Sequence, residues 1–251
     1  MSAPPKKDFY FYIDVVGTCN LKCPSCPVGN SKEIKTPKGI MDPEFLDKIM
    51  QKATRECNVT GVGLYNWTEP LLHPKLPELI RIVQSYGVPC AISTNLNILD
   101  APDELMAANP HSIYVSLSGF KQEKYGITHL KGDIEKVKEN VKILIESKNK
   151  IRCDTEITIV FHRYLNNRND ESLMSEFAQK IGVRFMPIWA QMMPLEKVLS
   201  YARKGSIHEL SNSDTKIIQQ LALPLDQALD IARRNNEKPC ALLDQQITLT
   251  V

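Results

Sequence analysis

A regular alternation of strand and helix patterns is the feature that most constrains the fold of this 251-residue sequence. The strand patterns are short, rich in β-branched residues and bounded by Gly, Pro or polar residues. Six of them are predicted, at residues 9–16, 59–65, 88–93, 112–117, 154–161 and 183–188. Helical patterns separate them, and such βα repetition predicts an α/β fold with a parallel sheet and right-handed crossovers. An open doubly wound sheet and a curved, partly closed barrel both satisfy this pattern, and both bind ligands at the carboxyl ends of the strands.

The character of the sequence changes near residue 190. Beyond Pro194 it becomes polar and helical, with Pro224 as a breaker, and it ends on a strand-like pattern at 247–251. We therefore predict a core domain over residues 1–190 and a small, mostly helical C-terminal region over 191–251.

Charge and composition narrow the classes of partner. The chain has 31 Lys and Arg residues against 29 Asp and Glu, so no field of one sign attracts nucleic acid or an anionic membrane. The N-terminus lacks the apolar segment of a signal peptide, and no apolar run reaches the roughly 18 residues that span a bilayer. We expect a cytoplasmic protein that binds neither membrane nor nucleic acid.

Three of the seven cysteines lie within eight positions, directly after the first strand pattern. Cys19, Cys23 and Cys26 are separated by three and then two residues, so a short loop can wrap three thiolates around one face of a cubic iron–sulfur cluster. The fourth iron would then be free to bind a cofactor or substrate. A thioredoxin-like redox pair at Cys23 and Cys26, or half of a zinc site, is the alternative.

This segment resembles the Cys-x3-Cys-x2-Cys signature of the radical S-adenosylmethionine (radical SAM) superfamily. The order of strands and helices is similar to that superfamily's partial (β/α)6 barrel. The resemblance implies a [4Fe–4S] cluster on Cys19, Cys23 and Cys26 that cleaves S-adenosylmethionine reductively to a 5′-deoxyadenosyl radical. That radical would abstract a hydrogen from an unidentified small-molecule or peptide substrate, with a flavodoxin- or ferredoxin-type electron donor. The residue before the third cysteine is usually aromatic in the family, whereas here it is Ser25.

The second strand pattern runs into Trp67-Thr68-Glu69-Pro70, where the family typically has Gly-Gly-Glu-Pro. The resemblance implies that Glu69 binds the ammonium of the methionine moiety, since a carboxylate suits a compact cation. Trp67 and Thr68 replace the two glycines. The alternative is that Glu69 is a solvated loop acid.

Polar residues also end the third and fourth strand patterns. Asn95, Ser116 and Ser118 resemble the strand ends that meet the ribose or carboxylate of S-adenosylmethionine in the family, and ordinary turn chemistry is the alternative. Related enzymes often place an Arg after the fourth strand. None is present in the matching stretch, and His129 is the nearest candidate.

Two further segments have two interpretations each. His162, Arg163 and Tyr164 follow the predicted fifth strand and either face the barrel mouth or form a solvated loop. Met192 and Met193 are expected to pack in the core or at a hinge, and contact with the cofactor is the alternative.

The segment around Cys240 resembles the opening of a SPASM or twitch extension, in which further cysteines build an auxiliary Fe–S cluster. Cys240 is a candidate auxiliary ligand if the chain is truncated, and a buried or free thiol if it is complete. Two other functional classes remain open: a non-catalytic Fe–S sensor, and a nucleic-acid-modifying member of the same superfamily. The near-neutral charge weighs against the second.

Overall fold

The computed structural model describes residues 5–30, 39–203, 210–222 and 246–249. Its centre is one seven-stranded sheet with the order β6-β5-β4-β3-β2-β1-β7, in which all neighbouring strands are parallel. The strands are β1 (Asp8–Ile13), β2 (Asn58–Gly63), β3 (Cys90–Thr94), β4 (Ser112–Leu117), β5 (Glu156–Arg163), β6 (Arg184–Trp189) and β7 (Gln246–Leu249).

Helices occupy the connections between these strands. They are α1 (Pro27–Asn30), α2 (Pro43–Glu56), α3 (Leu76–Ser85), α4 (Pro102–Ala107), α5 (Gln122–Thr128), α6 (Ile134–Ile151), α7 (Arg168–Lys180), α8 (Leu195–Arg203) and α9 (Asn212–Ile218). Two single 3₁₀ turns, Pro70–Leu72 and Leu165–Asn167, follow β2 and β5. No helix in the described ranges is long and apolar enough to cross a membrane.

Period-2 alternation gives the sheet two different faces. Along β1, Phe11 and Ile13 are buried in the main hydrophobic core together with apolar residues of the helices, whereas Tyr10 and Tyr12 are half-buried and lie on the opposite face. Each fully buried aliphatic side chain of that core contributes about 1.5–3 kcal/mol. The helices therefore cover one face, and the other face is left for ligands.

Local capping explains where the helices begin. The carboxylate of Asp42 accepts a hydrogen bond from the Glu44 amide, and Pro43 occupies the first turn of α2. Asp133 caps α6 in the same way, by accepting from the amides of Glu135 and Lys136.

The α/β fold with a parallel sheet is confirmed, although the bounds of every strand except β4 differ from the predicted ones by one to three residues. β5 continues through His162 and Arg163, which pair with Ile188 and Trp189 of β6 and so do not lie in the following loop. The strand-like C-terminal pattern is present as β7, which pairs with β1 at the edge of the main sheet.

The described part of the C-terminal region packs against the cysteine loop. α8 and α9 share a small apolar cluster of Met192, Val198, Ile217 and Ile218. The Met193 amide donates to the Ser25 carbonyl at 2.9 Å, so this region meets the loop that holds the cysteines. Cys240 lies outside the described residues.

Candidate cofactor site

The three cysteines lie on a loop that leaves the carboxyl end of β1. Its turns are closed by the Cys26 amide, which donates to the Cys23 carbonyl at 3.1 Å, and by the Asn30 amide, which donates to the Cys26 carbonyl at 2.9 Å. The Asn30 side chain donates to the carbonyls of Pro24 (2.9 Å) and Met193 (2.6 Å). The loop is therefore held in shape by its own backbone and by the segment that precedes α8.

Gly29 lets α1 approach the cysteine loop closely. A Cβ atom at this position would lie 2.2 Å from the Cys23 carbonyl oxygen and 2.6 Å from its amide nitrogen. Any side chain there would displace the backbone of Cys23. The sequence Pro-Val-Gly after Cys26 therefore helps to set the shape of the loop that holds the thiols.

The environment of the thiols differs from that of a catalytic redox pair. They are half-buried and form no disulfide, and burial raises the pKa of all three, that of Cys19 to about 11. Catalytic redox cysteines have the opposite shift.

A cavity of about 730 Å³ opens beside these thiols at the carboxyl ends of the strands. Glu69 lies in the loop after β2, and Asn95 directly follows β3. Ser116 and His162 are the last residues but one of β4 and β5. Together with the three cysteines, these residues line the cavity. The carboxyl ends of neighbouring parallel strands have brought them together.

Asp14, directly after β1, organises the loop that leads to Glu69. Its buried carboxylate accepts hydrogen bonds from the amides of Asn66 (3.0 Å), Trp67 (3.0 Å) and Thr68 (3.1 Å) and from the Thr68 hydroxyl (2.6 Å). Three consecutive amides therefore point at one oxygen, and no glycine is needed to hold this backbone.

We expect Asp14→Ala to loosen this loop, because three amides would lose a charged acceptor in a buried setting. Hydrogen bonds to charged groups contribute about 1.5–3 kcal/mol each, so the free energy of unfolding should fall by at least about 3 kcal/mol. Urea denaturation measures this loss, and Asp14→Asn, which keeps an acceptor oxygen, should fall between the two. Equal midpoints for wild type and Asp14→Ala would contradict this role.

Glu69 is buried against the end of β3. Its carboxylate accepts from the Thr94 hydroxyl at 2.7 Å, the Asn95 amide at 2.8 Å and the Leu71 amide at 3.1 Å, and its own amide donates to the Thr18 carbonyl. Burial raises the pKa of this carboxyl group to about 7, although the three hydrogen bonds oppose that shift. Glu69 is thus not a solvated loop acid.

No cation balances Glu69 in the described part of the chain. No Lys, Arg or His nitrogen lies within 4.0 Å of its oxygens. A buried carboxylate without a counter-ion is unfavourable unless a ligand supplies the positive charge. The site is therefore electrostatically suited to an ammonium group.

Asn95 connects the Glu69 loop to the cysteine loop. Its side chain donates to the Asn20 side chain at 2.8 Å and lies 3.8 Å from the Cys19 sulfur. Its own side-chain oxygen accepts from the amide and side chain of Asn97. The predicted ligand-binding side chain is thus also a structural link between two edges of the cavity.

Two neutral imidazoles, His162 in β5 and His129 at the end of α5, are hydrogen-bonded to serines at and just after the end of β4. The Ser116 hydroxyl pairs with His162 Nε2 at 2.8 Å, and the Ser118 hydroxyl pairs with His129 Nδ1 at 2.9 Å. Burial lowers the pKa of His162 to about 4 and that of His129 to about 3, so both are uncharged at neutral pH. Ser118 is fully buried and does not line the cavity, whereas His129 does.

Tyr164 meets Ser25 across the cavity. It is buried, lines the cavity, and its hydroxyl donates to the Ser25 hydroxyl at 3.0 Å. Arg163 instead forms a two-point ion pair with Glu171 and lies over the Trp189 ring. Of the two methionines, Met193 lines the cavity and Met192 is buried in the small C-terminal cluster.

Sequence analysis did not identify Asp14 or Asn20 as parts of this site, whereas it named Tyr164 as a candidate. For Asp14 a signal existed, since a carboxylate at the end of an otherwise apolar strand must find partners when it is buried. For Asn20 no local pattern marks a contact that lies 75 residues away along the chain.

A parallel sheet with three clustered thiols beside a cavity at its carboxyl edge is the arrangement expected of an Fe–S enzyme. The family model described as "Radical SAM superfamily" matches residues 13–176, which is more than half of the chain. The chain therefore belongs to the radical SAM superfamily, and membership implies a [4Fe–4S] cluster and S-adenosylmethionine as cofactors.

Two curated relatives have different printed activities. GTP 3′,8-cyclase 1 of Mycobacterium tuberculosis is 28% identical over 263 residues, covering 93% of this chain and 69% of that protein. A 7,8-dihydro-6-hydroxymethylpterin dimethyltransferase of Methanocaldococcus jannaschii is 25% identical over 187 residues, covering 70% and 35%. The chain thus spans about a third of the length of the dimethyltransferase.

Solved structures share the fold. Streptococcus suis SuiB bound to S-adenosylmethionine has a TM-score of 0.63 and 14% identity, covering 97% of this chain and 51% of SuiB. SuiB has also been solved with its precursor peptide SuiA, with a TM-score of 0.62 and 13% identity, covering 97% and 49%. The predicted partial (β/α)6 barrel of the radical SAM type is confirmed by this likeness, and the chain spans about half the length of SuiB.

Proposed function

We propose that this chain is a radical SAM enzyme that holds a [4Fe–4S] cluster on Cys19, Cys23 and Cys26 and binds S-adenosylmethionine across the cavity to Glu69. One observation carries the proposal: three half-buried thiols and a buried carboxylate without a counter-ion line the same cavity. When bound and reduced, the cluster would supply the electron that cleaves S-adenosylmethionine and starts radical chemistry.

The residues of this chain prepare the cavity for that cofactor pair. Asp14 fixes the backbone of the loop before Glu69, and Thr94 and Asn95 orient the carboxylate. Asn95 and Ser116 offer neutral polar atoms, which suit the hydroxyl groups of a ribose. We propose that Ser118 does not contact the ligand itself and instead positions His129 at the cavity wall through their hydrogen bond.

The C-terminal region supports an enclosed site. We keep the division into a core domain over residues 1–190 and a region over 191–251, and we propose that the second part covers the cavity. Met193 lines the cavity, and the α8 residue Lys197 pairs with Asp214 of α9 at 2.9 Å. A covered site excludes water from reactive intermediates.

The substrate class, the electron donor and the location of the protein are also proposals. We propose a peptide or a small molecule as substrate, because SuiB has been solved bound to a precursor peptide and another relative is described as a GTP cyclase. We propose a flavodoxin- or ferredoxin-type electron donor and a cytoplasmic location, and we propose neither a membrane nor a nucleic acid as partner. An auxiliary cluster involving Cys240 stays a proposal for a longer chain.

Incubation of the reconstituted protein with S-adenosylmethionine and a one-electron reductant tests the function without knowledge of the substrate. We expect 5′-deoxyadenosine and methionine in equal amounts, measured by liquid chromatography. A matched incubation without reductant should yield neither. A protein with a full cluster that releases no 5′-deoxyadenosine would instead be a non-catalytic Fe–S sensor, and the enzyme proposal would be wrong.

A further inference from the structure

Four tyrosine rings lie together on the ligand-bearing face of the sheet. Tyr10 and Tyr12 lie in β1, Tyr65 lies two residues after β2, and Tyr114 lies in β4. The ring centroids are 4.9 Å apart for Tyr10 and Tyr12, 5.6 Å for Tyr12 and Tyr65, and 6.3 Å for Tyr65 and Tyr114. All four rings are half-buried, and we call them the tyrosine cluster.

Two glycines of β2 make room for this cluster. A Cβ atom on Gly61 would lie 2.6 Å from the Tyr10 ring, and one on Gly63 would lie 2.8 Å from the Tyr65 ring and 3.2 Å from the Tyr12 ring. Glycine inside a strand is destabilising, so β2 is intrinsically less stable at the two positions where it contacts the rings.

The cluster is continuous with the cofactor cavity. Tyr65 lines that cavity, and its ring contacts Tyr12, which in turn contacts Tyr10. Burial raises the pKa of Tyr10 and Tyr65 well above the usual range, so both remain protonated at neutral pH. Oxidation of either phenol therefore requires movement of a proton together with the electron.

We propose that the tyrosine cluster is a redox relay that removes a radical formed in the cavity when no substrate consumes it. This inference rests on the proposed function, which supplies the carbon-centred radical. Packing alone does not require phenol side chains here, because phenylalanine would fill the same space.

The steps balance in atoms and electrons. A carbon radical in the cavity takes the hydrogen atom of the Tyr65 hydroxyl, so a C–H bond forms, an O–H bond breaks and a Tyr65 phenoxyl radical remains. Tyr12, whose ring contacts Tyr65, then reduces the Tyr65 radical by one electron and loses its own hydroxyl proton to water, while Tyr65 takes up a proton from water. The radical exchanges between Tyr12 and Tyr10 in the same way, with one proton lost to water and one regained at each exchange. A thiol finally returns a hydrogen atom to Tyr12 and is oxidised to a disulfide in pairs.

Electron paramagnetic resonance of the holoenzyme tests the relay. The cluster is reduced, excess reductant is removed, S-adenosylmethionine is added without substrate, and samples are frozen rapidly. We expect a tyrosyl signal that narrows when the protein carries ring-deuterated tyrosine. Tyr65→Phe keeps the ring and should lose this signal. The control Tyr86→Phe, whose hydroxyl bonds Asp47 on the helical face, should keep it.

Measurement of 5′-deoxyadenosine in the same samples separates the two proposals. Release of 5′-deoxyadenosine with no tyrosyl signal in the wild type, or with an unchanged signal in Tyr65→Phe, would overturn the relay and leave the enzyme proposal standing. The absence of 5′-deoxyadenosine from wild-type holoenzyme would overturn both. Thermal unfolding of Tyr65→Phe near the wild-type temperature shows that a lost signal does not reflect a lost fold.

Discussion

Replacement of any one of Cys19, Cys23 and Cys26 by Ala is expected to remove most of the bound iron and to abolish cleavage of S-adenosylmethionine. Three thiolates are the proposed cluster's protein attachment, and no fourth donor among the described residues converges on them. Loss of one thiolate leaves one iron without a protein ligand. Iron and acid-labile sulfide, measured after anaerobic reconstitution, give the result directly.

The other described cysteines provide matched controls for this experiment. Cys90 is buried on β3, Cys57 is buried at the end of α2, and Cys153 is half-buried before β5. Their replacement by Ala should leave the iron content unchanged, with at most a modest loss of stability from the buried positions. Full cluster occupancy in Cys23→Ala would show that the ligand assignment is wrong.

Local patterns were sufficient to predict most of the strands. β4 was predicted with its observed bounds because its apolar residues are flanked by polar ones. β5 was ended too early because His162 and Arg163 are polar, yet the ladder to β6 continues through both. α5 was missed because its seven residues include Gly126 and few apolar side chains. Pairing and burial by tertiary contacts, which no local window contains, decided both cases.

Some residues of the candidate site could be identified from local sequence patterns, and others could not. Spacing identified Cys19, Cys23 and Cys26, and resemblance to a family motif identified Glu69. Trp67 and Thr68 replace the two glycines of the family motif before Glu69, and the carboxylate of Asp14, 52 to 54 residues earlier in the chain, accepts hydrogen bonds from the amides of this loop. A contact between two strand ends is set by their adjacency in the sheet, and a linear pattern does not contain that information.

The change Glu69→Gln is expected to weaken S-adenosylmethionine binding and to leave the iron content unchanged. Glutamine keeps the shape of the side chain but removes the negative charge that would meet the methionine ammonium. A charge-assisted contact of this kind contributes on the order of 1.5–3 kcal/mol, or about 10- to 150-fold in affinity. Titration of S-adenosylmethionine into both proteins with intact clusters measures it. Asp103→Asn, at an exposed carboxylate paired with Lys150 far from the cavity, is a matched charge control.

The pH dependence of this difference makes the test sharper. Burial raises the pKa of Glu69 to about 7 from an ordinary value of 4.5, so the empty folded protein binds a proton that the unfolded chain has released. Below about pH 4.5 the raised pKa contributes its full stabilisation to the folded protein without ligand. This contribution to the free energy of unfolding, roughly 3 kcal/mol in all, is lost as the pH rises through 7. Glu69→Gln should lack this loss.

A ligand cation that binds the ionised carboxylate must displace the proton below pH 7. Wild-type affinity for S-adenosylmethionine should therefore rise with pH from 6 to 7.5, and proton release should accompany binding at the lower pH. Above that range the ammonium group of the ligand itself begins to deprotonate, at about 7.7–8.0 for an ordinary α-amino group, and the affinity should level off. Isothermal titration calorimetry in two buffers of different ionisation enthalpy counts the protons. Equal affinities of wild type and Glu69→Gln across this range would show that the carboxylate does not meet the ligand.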